Sequence, residues 1–232
     1  MQCVILAAGK GTRLRPLTDN TPKPLVKVAG KTLLDHIVEA FPSAIKEIII
    51  VTGYKGEMIR EYCGDVFHGR PVTYVEQTEI NGPAQALWLC KQHIHGRFLF
   101  MFADDIHGAQ DLARAVSFSR SILATTSNTP ERFGVIVRNP DGTIADMEEK
   151  PSSPSSNLVA TGPMVLDEHI FAYTPEAPIN GEYFMPEIIM RYKDKYPLAV
   201  VEEQLWIPIG YPEDIEYAEK LLAARTANVI VS

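Results

Sequence analysis

Three short apolar runs carry no polar alternation: Val4-Ile5-Leu6-Ala7, Ile48-Ile49-Ile50-Val51 and Phe98-Leu99-Phe100-Met101-Phe102. A strand with one wet face alternates apolar and polar residues. A strand without alternation needs cover on both faces, as in a parallel sheet. The segments between the runs supply that cover. Leu34, Ile37, Val38 and Phe41 fall at i, i+3, i+4 and i+7, one face of a helix. Met58, Ile59, Tyr62 and Cys63 indicate a second helix, and the nearly apolar stretch 84–90 a third, buried one. This alternation predicts right-handed βαβ units and an α/β fold with a doubly wound, mostly parallel sheet.

The second half has another character. Segments 133–137 and 143–149 flank Asn139-Pro140-Asp141-Gly142, a strong turn signal, which predicts a hairpin. A Ser/Pro loop over 151–156 is too short for a domain linker, and 158–166 has the look of a strand. Met185, Ile188, Ile189 and Tyr192 return to helical spacing. A last helix starts near Pro212, with Glu213 and Asp214 in the first turn, where the macrodipole favours anions. Its inner stripe is Ile215, Ala218 and Leu222. No internal repeat appears. The expectation is one domain over 1–232: a first half over 1–130, an antiparallel insertion mainly over 131–210, and a C-terminal helix over 211–232.

Charge and cysteine usage narrow the function classes. Acidic residues number 29 against 22 basic, a net charge of -7, which argues against a general nucleic-acid binder. Cys3, Cys63 and Cys90 lack zinc or redox spacing and read as buried thiols of a reducing compartment. The longest apolar stretches are about half of a membrane span. The opening shows neither a basic start nor a cleavage site. A cytoplasmic location without membrane or nucleic-acid partners is therefore expected.

The most informative segment follows the first apolar run: Leu6-Ala7-Ala8-Gly9-Lys10-Gly11-Thr12-Arg13-Leu14-Arg15-Pro16. Gly9 and Gly11 permit positive φ and close approach of a ligand to the backbone. Consecutive N–H groups in such a turn form an anion-binding nest, and the fork of Arg13 matches phosphate oxygens. In Asn20-Thr21-Pro22-Lys23-Pro24, prolines on both sides restrict the backbone that carries Lys23. The dinucleotide fingerprint fails, because Leu14 stands where its last glycine belongs. A Walker loop fails too, because Thr12-Arg13 follows Gly11. The bland alternative is a Gly-rich turn with surface cations.

The run Leu6 to Pro16 and Pro22-Lys23-Pro24-Leu25 resemble the signature of sugar-1-phosphate nucleotidyltransferases, in particular glucose-1-phosphate thymidylyl- and uridylyltransferases. The resemblance continues in order through Val51-Thr52-Gly53-Tyr54-Lys55, Glu76-Gln77, Gly82-Pro83-Ala84-Gln85-Ala86, Ala103-Asp104-Asp105, Phe133-Gly134-Val135, Glu148-Glu149-Lys150-Pro151 and Gly210-Tyr211-Pro212-Glu213-Asp214. It implies a Rossmann-like, GT-A-like sheet whose antiparallel insertion binds the sugar. It also implies nucleotidyl transfer from an NTP, UTP or dTTP favoured, to a sugar 1-phosphate, with Mg²⁺ as cofactor. Homo-oligomers are common among such proteins.

Carried over residue by residue, the resemblance implies that Arg13 holds the leaving β- and γ-phosphates and that Lys23 serves the α-phosphate and the sugar phosphate. Leu6, Ala8, Gly9, Gly11 and Thr12 would cradle the nucleotide, Gln77 would read the base edge, and Gly82 would let the ring lie on backbone. Asp104, just past a buried strand, would bind nucleotide and Mg²⁺. Gly134, Glu149, Lys150 and Gly162 would bind the sugar, with Glu182 and Trp206 beside them. Arg15 is a weaker phosphate candidate. The chain departs from the family at Pro208, where many members carry a second metal-binding Asp; Asp105 and Asp214 are the substitutes to check. A phosphocholine cytidylyltransferase-like enzyme is the alternative, and a non-catalytic nucleotide-sugar sensor a third reading.

Overall fold

The computed structural model describes residues 1–230 apart from 177 and 179, with backbone alone over 226–230. Fourteen strands occur among these residues. In chain order they are β1 (Gln2–Ala7), β2 (Lys27–Val28), β3 (Lys31–Thr32), β4 (Glu47–Thr52), β5 (Val66–Phe67), β6 (Arg70–Glu76), β7 (Arg97–Phe102), β8 (Asp105–His107), β9 (Ser121–Thr126), β10 (Gly134–Arg138), β11 (Ile144–Glu149), β12 (Leu158–Asp167), β13 (Ala199–Glu202) and β14 (Trp206–Pro208). The helices are α1 (Leu33–Glu39), α2 (Gly56–Cys63), α3 (Pro83–Leu89), α4 (Ala109–Ser117), α5 (Met185–Tyr192) and α6 (Pro212–Ile230).

The centre of the main sheet is parallel. β7, β1, β4 and β6 lie side by side in that order, with Val4 level with Ile49 and Phe100. Alternate side chains of these strands go to opposite faces. Cys3, Ile5, Ile48, Ile50, Leu99 and Met101 pack with α1, α2 and α4. Val4, Ile49, Val51, Phe98 and Phe100 pack with α3 and α5. The absence of alternation in the sequence is this double cover.

The expected hairpin forms from β10 and β11, antiparallel, and β10 joins β12. β12 then runs antiparallel to β7, so the insertion continues the parallel sheet edgewise. Its register against β9 shifts between Ala160 and Met164, around Gly162. A smaller cluster of Leu14, Val28, Leu33, Ile106, Ile207, Ile209 and Ala218 seats the N-terminal loop and α6 on the β8–β14 ladder. The stripe expected on the last helix is present: Ala218 is buried, and Ile215 and Leu222 pack against the same cluster.

Local details differ from expectation in two places. Tyr62 lies on the outer side of α2, while Ile59 and Cys63 face the core. Its hydroxyl instead donates to Asp35, 2.7 Å away. The two-stranded ladder of β8 and β14 had no periodicity to announce it, because each strand is only three residues long. All three cysteines are buried and free. Among the described residues no helix is long and apolar enough to cross a membrane.

Candidate active site

The C-terminal ends of the parallel strands converge on one edge, where open α/β sheets bind ligands. Backbone bonds tie the ends together: Ala103 N donates to Leu6 O at 3.0 Å, Tyr54 N to Ala8 O at 3.1 Å, and Gln77 N to Thr52 O at 2.8 Å. The loop after β1 turns at Gly11, where φ is 61°. Its carbonyl accepts from Leu14 N at 3.0 Å and from Thr18 Oγ1 at 2.8 Å. Gly9 has ordinary backbone angles, so only one of the two loop glycines uses the left-handed region. Lys23 opens a single 3-10 turn, Lys23–Leu25, entered through Pro22.

Two cavities open here. The first, about 320 Å³, is lined by Leu6, Ala8, Gly9, Gly11, Thr12, Arg13, Lys23, Gln77, Gly82 and Asp104, together with Ile80, Pro83 and Glu182. It holds every residue expected to bind nucleotide. The second, about 610 Å³, is lined by Gly134, Glu149, Lys150 and Gly162, with Trp206, Phe184 and Arg132. It holds every residue expected to bind sugar except Glu182, which lies in the first cavity instead. Arg13, Lys23, Pro83, Phe102 and Asp104 border both. Arg15 is turned away and pairs with Asp19 at 3.2 Å.

The two cations of the shared lip differ in their charge partners. Lys23 Nζ lies 3.2 Å from Asp104 Oδ2; the Lys23 side chain is 12% exposed and that of Asp104 38%. Arg13 has no carboxylate partner in the described structure, and its guanidinium lies 5.6 Å over the Tyr211 ring. Glu149 Oε1 pairs with Lys150 Nζ at 3.2 Å. The Gln77 amide nitrogen donates to Asn81 Oδ1 at 3.3 Å, close beside Gly82.

Pro208 sits directly opposite Asp105 in the β8–β14 ladder. The candidate substitutes for a second metal carboxylate are both engaged elsewhere. Asp105 Oδ2 accepts from Trp206 Nε1 at 2.8 Å, and Oδ1 faces Ile209 N at 3.4 Å. Burial, then the neighbouring Asp104, pushes the Asp105 pKa up to about 7. Asp214 Oδ2 accepts from Gly210 N at 2.8 Å and Tyr211 N at 2.7 Å, capping the start of α6. Among the described residues no three His, Cys, Asp or Glu side chains gather as a metal site. His107 is in the interior, with Nδ1 2.9 Å from Glu203 Oε2, and His93 joins the turn after α3.

Sequence reasoning passed over Met147, Met164, Met185 and Phe184, which wall the second cavity. They come from β11, β12 and the entry to α5, and no spacing in the sequence links those segments.

Comparisons with known proteins give the family and the fold. The nucleotidyl transferase family pattern matches residues 2–225. UTP–glucose-1-phosphate uridylyltransferase AglF of Haloferax volcanii is 37% identical, over 98% of this chain and 99% of its own length. The bifunctional protein GlmU of Methanocaldococcus jannaschii is 34% identical over 96% of this chain, which spans 54% of GlmU. Among solved structures, one from Bacillus anthracis, described as a glucose-1-phosphate thymidylyltransferase, superposes with a TM-score of 0.84 at 28% identity, covering 95% of each chain. A UDP-glucose pyrophosphorylase shares the fold, with a TM-score of 0.81 at 22% identity over 97% of this chain and 98% of its own. A family pattern over nearly the whole chain and a relative matched from end to end lead to one conclusion: the chain belongs to the nucleotidyl transferase family.

Proposed function

We propose that this enzyme transfers a nucleotidyl group from a nucleoside triphosphate, UTP or dTTP favoured, to a sugar 1-phosphate. A phosphate oxygen of the sugar phosphate attacks the α-phosphorus. The bond from that phosphorus to the bridging oxygen of the β-phosphate breaks, and pyrophosphate leaves with the electron pair. No protein nucleophile and no proton transfer are needed. The main obstacle is repulsion between two polyanions, so positioning and positive charge supply the catalysis.

The observation that carries this reading is the shared lip. One cavity fits the triphosphate and the other its acceptor, and Arg13 and Lys23 stand where the two meet. Arg13, without a carboxylate partner among the described residues, would take the charge that develops on the leaving phosphates. Lys23, held by its proline-flanked turn, serves the α-phosphate and the incoming phosphate. The Gln77 amide faces the nucleotide cavity and suits the O4 and N3–H edge of uracil or thymine.

The donor set fits a divalent ion that brings most of its own ligands. Asp104 offers a partly exposed carboxylate, a hard oxygen donor of the kind Mg²⁺ takes with phosphates and water. Asp105 and Asp214 already accept hydrogen bonds from the protein. Such an ion would neutralise charge between the phosphates.

Four nucleoside triphosphates crossed with several sugar 1-phosphates, and with phosphocholine as a contrasting acceptor, test the proposal by pyrophosphate release. Turnover with UTP or dTTP and a sugar 1-phosphate is expected. Release only with phosphocholine, or none at all, sinks it.

A further inference from the structure

Arg13 is exposed, and among the described residues no carboxylate pairs with it. A long side chain left so spreads over many rotamers, and ordering it as a phosphate arrives costs entropy. Here the turn after β14 meets it. The guanidinium carbon lies 5.6 Å from the centre of the Tyr211 ring. Arg13 Nη1 lies 4.0 Å from where a Cβ on Gly210 would stand, so the same turn touches it twice. Both sides are anchored in one place: Leu14, next to Arg13, and Ile209, two residues before Tyr211, are buried in the same apolar cluster.

Asp214 stands on this turn too, yet its Oδ2 accepts from Gly210 N at 2.8 Å and Tyr211 N at 2.7 Å, so it fixes the turn from within. The turn therefore offers Arg13 a ring and not a carboxylate. For phosphate the difference matters. A carboxylate partner occupies the N–H fork, and an arriving phosphate has to displace it. An aromatic face attracts the cation through its quadrupole and uses none of those donors. The Tyr211 hydroxyl has no partner among the described residues, so the ring carries the interaction.

We infer that Tyr211 is a positioning residue for Arg13: its ring holds the guanidinium at the lip shared by the two cavities with the N–H fork free for the leaving phosphates. This rests on the role proposed for Arg13 above and adds the means by which that charge is held ready.

The test is a double-mutant cycle on kcat, read by pyrophosphate release at saturating UTP or dTTP, Mg²⁺ and glucose 1-phosphate or whichever sugar 1-phosphate the parent uses best. Tyr211→Leu keeps apolar bulk without a ring. Its kcat is expected to fall ~10-fold, between the worth of an exposed cation–π contact and the cost of a misplaced catalytic group. Tyr211→Phe keeps the ring and should stay within ~2-fold of the parent. On an Arg13→Ala background, Tyr211→Leu should cost no more than a further ~2-fold, because the ring then has no charge to hold. Tyr211 also lines the second cavity, so a direct contact with the acceptor is the rival account. It would raise the acceptor KM in Tyr211→Leu and survive the loss of Arg13, whereas positioning leaves that KM unchanged. Losses that multiply in the double variant, a Tyr211→Leu enzyme at the parental rate, or a Phe variant as slow as the Leu variant each overturn the inference and leave the general reaction standing. A parent that turns over no sugar 1-phosphate overturns both.

Discussion

At the residue scale, the two cations of the shared lip are held differently, and their removal should read differently. Lys23 is mostly buried and paired with Asp104, so Lys23→Ala leaves a carboxylate without its counter-charge. Arg13 lies over the Tyr211 ring and has no carboxylate partner among the described residues, so Arg13→Ala takes away a charge without stranding another. Both variants are expected to lose ~10²–10³ in kcat, measured by pyrophosphate release. Arg13→Ala should keep its melting temperature. Near-normal turnover of a folded variant would remove that residue from the mechanism. A second test concerns Gly82, which enters α3 at φ 104°. A Cβ there would lie 2.5 Å from both the N and the O of Tyr183, backbone that cannot step aside. Gly82→Ala should raise the KM for the nucleotide at least ~10-fold, a deliberately low bound for strain at such a position; unchanged nucleotide KM would show that the contact relaxes freely. Loop glycines, Arg13, Lys23 and Asp104 were legible in the sequence because they sit in contiguous segments after buried strands. Glu182, expected beside the sugar residues, lines the first cavity; it lies on an irregular segment where no periodicity tells which cavity a side chain enters.

At the element scale, legibility follows period and length. The long, covered strands and the amphipathic helices announce themselves, and the hairpin of β10 and β11 is given away by its turn. The β8–β14 ladder is silent, although it holds Asp105, Trp206 and Pro208 in register at the site. The start of α1 shows how a local signal becomes stability. Asp35 N donates to Thr32 Oγ1 at 3.1 Å and Thr32 N to Asp35 Oδ2 at 3.0 Å, a reciprocal cap. Burial disfavours the charge on Asp35, but bonds from His68, Tyr62 and Thr32 outweigh it and hold the pKa down to about 2. A carboxyl whose folded pKa lies below its unfolded value adds stability that is complete above the unfolded value, about 3.9, and fades as pH falls through the folded one. Asp35→Asn should therefore cost about 1 kcal/mol at neutral pH, with the gap to the parent protein closing as pH falls from about 4 towards 2. Urea melts at several pH values in that range decide it; a gap independent of pH would mean that the charge is not what stabilises the cap.

At the scale of the whole molecule, the parallel sheet carries the first cavity, proposed for the nucleotide, and the antiparallel extension the second, proposed for the acceptor, and one strap joins them. Tyr183 N donates to Asn81 O at 2.9 Å, and Tyr183 O accepts from Ala84 N at 3.0 Å, so residue 183 is laced into the loop at the mouth of the first cavity. Its neighbours on either side face different cavities: Glu182 the nucleotide side, Phe184 and Met185 the acceptor side. A ligand that orders the 78–84 loop is expected to order 182–185 as well, because the two segments share hydrogen bonds. The sequence gives no hint of this, since about a hundred residues separate the partners and neither segment is periodic. The consequence is measurable without any acceptor present. Hydrogen exchange in the presence of Mg²⁺ and UTP or dTTP should slow at 6–14 and 78–84, as for any nucleotide-bound loop, and also at 182–185 on the rim of the empty acceptor cavity. Protection confined to the first two segments would mean that the strap yields independently and that the cavities are filled without influence on one another. Protection that reaches 183–185, beyond Glu182 at the first cavity, would mean that the nucleotide orders part of the acceptor wall before the sugar phosphate arrives; any resulting gain in affinity would then be the same for both ligands.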